Sequence, residues 1–149
     1  MSGIAGKFDV TGLQQLNAAV SRLANVDSTQ ILTAMGSLIE QQTKDRIETQ
    51  KQSPTYGAWD DWSPGYEATR HGNHSLLRNN GDLLDSIQYT VTGGEAEIGT
   101  NLIYAKTHQF GDEDRNIPER RFLGVSENDL FNLQVALDDW ADDLLREVL

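Results

Sequence analysis

Three stretches of this sequence predict an α+β fold with N-terminal helices, a small antiparallel sheet carrying a β-hairpin, a long loop and a C-terminal amphipathic helix. First, Ile87, Tyr89 and Val91 alternate with Gln88, Thr90 and Thr92, Gly93-Gly94 follows, and Ala96 and Ile98 alternate with Glu95 and Glu97. A period of two on both sides of a two-glycine turn predicts a hairpin buried on one face. Second, Leu130, Leu133, Leu137, Trp140, Leu144 and Val148 recur at three- and four-residue intervals behind Ser126, a good helix cap. Third, Ile31, Met35, Leu38 and Ile39 share one helical face behind Asp27 and Ser28, either of which can cap.

The remaining elements fall between these. Ile4 to Val10 reads as a short edge strand, and Thr11-Gly-Leu-Gln14 has capping-box spacing ahead of Leu13, Leu16, Val20 and Leu23, which predicts a helix near 12–24. Residues 40–52 continue the second helix with polar side chains, so that end is expected to project from the body. Ser53-Pro54 stops it, because the residue before a proline disfavours helical geometry. The stretch to Ser75 has no sustained period and is read as one long loop, 53–75. Asn80-Gly81 opens a helical turn through Leu83 and Leu84, and Tyr104 to Phe110 is ambiguous between helix and strand. An exposed acidic loop follows at 111–119, then Phe122 to Val125 as a further short strand.

With 149 residues and no internal repeat, one domain covering 1–149 is expected. No cysteine is present, which excludes disulfides and thiolate chemistry. The longest apolar run, Leu102 to Ala105, is too short for a membrane span or a signal-peptide core. Twelve Lys and Arg stand against 23 Asp and Glu, a formal net charge of −11. Residues 51–149 hold eight of the basic and 18 of the acidic groups, so the excess lies there. That charge opposes affinity for a phosphate backbone.

His71-Gly-Asn-His74 has a spacing metals sometimes use, but the pair sits in a glycine- and asparagine-rich loop and reads better as solvated histidines. Asp112-Glu113-Asp114 lacks the alternate spacing and central glycine of a calcium loop. Asp60-Asp61 are neighbours in sequence, which says nothing of convergence in a cleft, and reads as surface. No phosphate-cradling loop and no nucleophile with an evident base is found. No catalysis, cofactor or metal is expected. What lacks a private explanation is the loop 53–75, which holds Tyr56, Trp59, Trp62 and Tyr66, four of the seven Trp and Tyr residues. So much aromatic area requires cover, from the body or from a neighbour.

Those unexplained residues carry a resemblance. Pro54-Thr-Tyr-Gly57-Ala-Trp59, Leu77-Arg-Asn-Asn-Gly81-Asp-Leu83-Leu-Asp-Ser86-Ile87, Ile98-Gly99-Thr-Asn101, Tyr104-Ala105, His108-Gln-Phe-Gly111 and Ile117-Pro-Glu-Arg120-Arg-Phe122-Leu-Gly124 occur in that order. Together they resemble, over roughly residues 54–149, the phage virion morphogenesis family, which includes tail completion proteins and is common in Mu-like phages. Trp62 and Glu119 depart from the pattern, where an aliphatic and a small residue are usual. The resemblance implies a non-enzymatic subunit of a ring, six-fold by expectation, that closes the tail or lies in the neck. It is assembled in the host cytoplasm and carried in the virion. Expected partners are further copies of the chain, the tail tube protein and head-tail connector proteins; double-stranded DNA passes without specific binding, and no membrane is involved.

A closed ring uses a heterologous interface, so each subunit needs two different complementary patches. Tyr56, Trp59, Trp62, Tyr66, His108, Phe110, Arg120, Arg121 and Phe122 are the candidates for subunit contact. Phe110 and Phe122 are expected to pack in the subunit body, and Arg120 or Arg121 to pair with a carboxylate. Asp138, Asp139, Asp142 and Asp143 flank the C-terminal apolar stripe and are candidate channel-facing acids. Two other functions compete. An acidic DNA-mimic inhibitor accounts for the charge but not for the aromatic loop; a metal-dependent hydrolase would need His71, His74 and His108 to converge.

Overall fold

The computed structural model describes residues 4–7, 27–72 and 74–148. The helix expected near 12–24 lies outside these residues, as does the end of the strand expected over Ile4 to Val10. Strand β1, Ile4–Lys7, is described. Helix α1, Thr29–Asp45, follows, with the first amide held by the carboxylate of Asp27 at 2.9 Å, while Ser28 makes no side-chain cap. The Asp27 carboxyl is held below its ordinary range by that backbone bond. The hairpin forms as its periodicity predicts, from β2, Gln88–Thr92, and β3, Glu95–Thr100, with Tyr89 opposite Ile98 and Val91 opposite Ala96. Gly93 and Gly94 turn at φ of 57° and 81°, a left-handed pair that only glycine adopts freely. Strand β1 pairs antiparallel to β3, so the sheet order is β1-β3-β2 with β3 central.

Helix α1 lies against β2 and β3 and also against the C-terminal helix. Gly36 sets how closely it approaches: a Cβ there would stand 2.6 Å from Cδ2 of Tyr89. Ile39, Ile47, Trp59, Leu83, Ile87, Ile98, Ala105, Phe122, Leu123 and Leu133 form the larger core, and Ile31, Leu32 and Ala96 a smaller one with Leu137 and Trp140 packed against it. The C-terminal helix runs Glu127–Val148 as the stripe predicts, and Ser126 is its cap. Ser126 Oγ accepts from the Asp129 amide, and the Asp129 carboxylate accepts from the Ser126 amide, both at 3.0 Å, a reciprocal capping box.

Several expectations are corrected. The polar end of α1 does not project: the helix continues as a π turn over Arg46–Gln50, and Thr43, Arg46 and Ile47 are buried. Arg46, 1% exposed, is matched internally. Its guanidinium pairs with Asp129 and donates to the Phe122 carbonyl at 2.6 Å. Burial pushes Arg46 below its ordinary pKa, and Asp129 opposes that. Phe122 to Val125 is not a strand, because side chains satisfy its backbone instead of a neighbouring strand. Gln109 Oε1 accepts from the amides of Phe122 and Leu123 at 3.1 and 3.0 Å, and Gln109 Nε2 donates to the Leu123 carbonyl at 3.2 Å.

The loop 53–75 is not structureless: Gln52 bridges Ala58, and Pro64–Glu67 makes a helical turn with proline in its first turn. Phe110 does not pack in the body; it is 56% exposed, because helix α3, Ala105–Phe110, turns Ala105 and Gln109 inward. (Helix α2 is the turn Asp82–Ser86, opened by Gly81 as expected, and the C-terminal helix is α4.)

Candidate functional site

The segments that carry the resemblance fold onto one another. Segment 117–124 is the strip to which the others are tied. Trp59 Nε1 donates to the Arg121 carbonyl at 2.9 Å, and the ring is buried in the core. Arg120 Nε donates to the Asp60 carbonyl at 2.8 Å and Nη2 to the Asp61 carbonyl at 3.1 Å, while the Arg120 amide donates to the His108 carbonyl at 2.8 Å. Gly124 permits the crossing at φ 146°, since a Cβ there would meet Pro54 Cγ at 2.7 Å. At the loop's far end Lys51 Nζ donates to Ser75 Oγ and the Leu76 carbonyl, each at 2.8 Å, and to the Ile47 carbonyl. Burial and the nearby Arg78 push Lys51 down to about 8, against the opposing Glu48.

These braces leave a groove of about 800 Å³ between the loop, the Leu77–Asp82 stretch, α3 and residues 115–118. Trp62 and Tyr66 meet edge to face at 6.0 Å on one wall, and Tyr104 and His108 do the same at 5.8 Å on another. Arg70 stacks over Tyr66 at 4.3 Å and donates to Asn79 Oδ1 at 3.2 Å. His108 is half-buried with Nδ1 enclosed and unpartnered. Burial, then Arg120, pushes its pKa down, so the imidazole is neutral at physiological pH.

The structure thus divides the nine residues expected at a subunit contact. Trp59, Arg120 and Phe122 are buried within the chain's own body, Arg120 where it also lines the groove, so the aromatic area of Trp59 needs no neighbour. Trp62, Tyr66 and His108 line the groove. Tyr56 and Phe110 are exposed, and Arg121 is half-buried, its guanidinium 5.6 Å from the Tyr56 ring. Arg121 pairs with Glu119 at 3.1 Å, and the Tyr56 hydroxyl donates to the same carboxylate, which raises the Tyr56 pKa. Glu119, a departure from the family pattern, is therefore what holds Tyr56. Arg120, in contrast, spends its donors on carbonyls, not on a carboxylate as one alternative had it.

Asp138, Asp139, Asp142 and Asp143 are exposed on α4. The rings of His71 and His74 lie 5.5 Å apart and tilted by 47°, with His74 Nδ1 accepting from the His71 amide at 3.2 Å. Among the described residues no three His, Asp or Glu converge as metal ligands would, and no helix is long and apolar enough to cross a membrane. The acidic turn is ordered by Asp112, whose carboxylate accepts from the Arg115 amide and side chain and is held below its ordinary pKa by them.

Sequence reasoning missed Arg46, Asp129 and Gln109, which fix segment 122–129, and Lys51, which ties the end of the aromatic loop at Ser75 and Leu76. A signal existed for the first two: Arg46 sits three residues after Thr43 on the face of Ile39, and Ser126-x-x-Asp129 has capping-box spacing.

Fold and groove together define a small α+β protein that uses buried polar side chains to hold irregular loops around a concavity. The chain belongs to the phage virion morphogenesis family, whose sequence model matches residues 9–142, and so has a structural or assembly role in a bacteriophage virion. No curated protein and no solved structure gives a significant match.

Proposed function

We propose that this chain is a non-enzymatic tail completion or neck subunit, assembling into a ring at the head-tail junction through which DNA passes. The observation that carries the reading is the use made of the family-matching segments. Gln109, Arg120 and Trp59 spend side-chain donors on backbone, and Arg46 divides its own between backbone carbonyls and Asp129, which fixes the shape of the loops. Rigid loops suit a surface that must match a neighbour, because little ordering entropy is lost on contact. The exposed carboxylates Asp139 and Asp143 of α4 suit a conduit, since acids within about 8 Å of passing phosphates repel them at physiological salt.

The test is the mass of the purified chain in solution, alone and with isolated tail tubes, by native mass spectrometry. A closed assembly in either condition is expected. A monomer or dimer in both would overturn the ring and leave the acidic surface to a decoy for a DNA-binding protein. A second arm is electrophoretic titration with double-stranded DNA at low salt, where no retained complex is expected.

A further inference from the structure

The outer face of α4 carries a second stripe that the fold leaves uncovered. Phe131, Val135, Asp138, Asp142 and Leu145 recur at four, three, four and three residues, opposite the buried Leu133 and half-buried Leu137, Trp140 and Leu144. Phe131 is 62% exposed and Val135 43%. Among the described residues neither Asp138 nor Asp142 has an ion-pair partner. An apolar and acidic stripe of this kind calls for a surface that is aromatic and cationic.

The groove has aromatic walls, and its lining sets four arginines beside Asp60, Asp61 and Asp82, so a cationic contact there has to come from an arginine that no carboxylate meets. Arg70, Arg78, Arg115 and Arg120 all line it. The charge of Arg120 is offset by Asp60 and Asp61 beside it. Arg78 has Glu48 at 3.5 Å and Arg115 has Asp112 at 2.7 Å. Arg70 alone of the four has no carboxylate among the described residues; it is presented on the Tyr66 ring with Trp62 behind. A helix with its side chains is about 10 Å wide, so a groove of about 800 Å³ takes roughly two turns.

We propose that the α4 outer stripe of one copy seats in the groove of the next, with Val135, Asp138 and Asp142 entering it and Arg70 as the charged anchor. The proposal rests on the ring reading above and names the two patches that a heterologous, closing interface requires. Apolar contact falls to Trp62 and Tyr66 against Val135, and the carboxylates meet the one arginine left unmatched, which sets register.

The absence of cysteine makes the test direct. Ser63→Cys on the groove and Gln134→Cys beside the stripe each leave the proposed contacts intact. Mixed single variants treated with a short bismaleimide should cross-link groove to helix and not like to like. The double variant should give a ladder of covalent oligomers. An assembly seen by mass but yielding like-to-like links or none would overturn this seating while leaving the ring. No assembly in any condition would remove both. A second arm uses charge: Arg70→Glu and Asp142→Arg should each raise the concentration for half-assembly at least about tenfold, and the two together should recover most of it. Losses that simply multiply would overturn the pairing.

Discussion

Replacing Asp129 by Asn tests whether the buried ion pair holds the two ends of the chain together. Arg46 is 1% exposed, and its guanidinium is met by the Asp129 carboxylate and by the carbonyls of Phe122 and Gly124. Removing one charge of a buried pair costs about 3–5 kcal/mol, chiefly because the other charge stays buried without its partner. The Asn oxygen can still accept from Ser126 and from Arg46, so the lower end, about 3 kcal/mol, is expected. A change of 1 kcal/mol moves the melting temperature of a domain this size by about 2–4 °C, which places the loss at about 6–12 °C. Urea unfolding followed by circular dichroism reads the free energy. Arg46→Met combined with Asp129→Asn should lose less than the sum of the single changes, by about 2 kcal/mol, because the charge left unpaired is then gone. A loss below about 1 kcal/mol for Asp129→Asn, or strictly additive losses, would refute the reasoning.

Gly36→Ala should destabilise by about 1–3 kcal/mol even though alanine favours a helix, because the new methyl would meet the Tyr89 ring; Tyr89→Ala should remove most of that penalty, and a stabilised single variant would contradict the close packing. Trp59→Ala should cost about 3–5 kcal/mol of stability as a core deletion, whereas Trp62→Ala should leave unfolding within about 1 kcal/mol and act on assembly; equal destabilisation by both would contradict their separate placement. The Lys51 ammonium gives up its proton near pH 8 when folded and near 10.5 otherwise, so the unfolded state binds more protons between those values and stability rises with pH across that window. Comparison with Lys51→Met at pH 7 and 10 should therefore shift in favour of the unaltered chain, and a difference that is flat or moves the other way would sink the assignment.

The parts of the fold legible in the sequence are those set by local pattern. A period of two around Gly93-Gly94 predicts the hairpin and its register, and a three- and four-residue stripe behind Ser126 predicts α4 with its cap. Less legible were features settled by partners far along the chain. Arg46 reads as a polar residue at a projecting end until Asp129, 83 residues later, is seen to meet it. Phe122-Leu123 has the composition of a strand, and only the buried Gln109 amide, which takes the place of a neighbouring strand, keeps it irregular. The aromatic loop marked the right region for a site. It did not tell Trp59, whose indole nitrogen finds a carbonyl inside, from Tyr66, whose ring faces the groove.

Imaging the whole virion by electron cryomicroscopy tests the central claim most directly. A closed ring at the head-tail junction is expected, each subunit fitting this fold with α4 of one copy against the aromatic groove of the next. Density for this chain elsewhere in the particle, or its absence from finished particles, would contradict it.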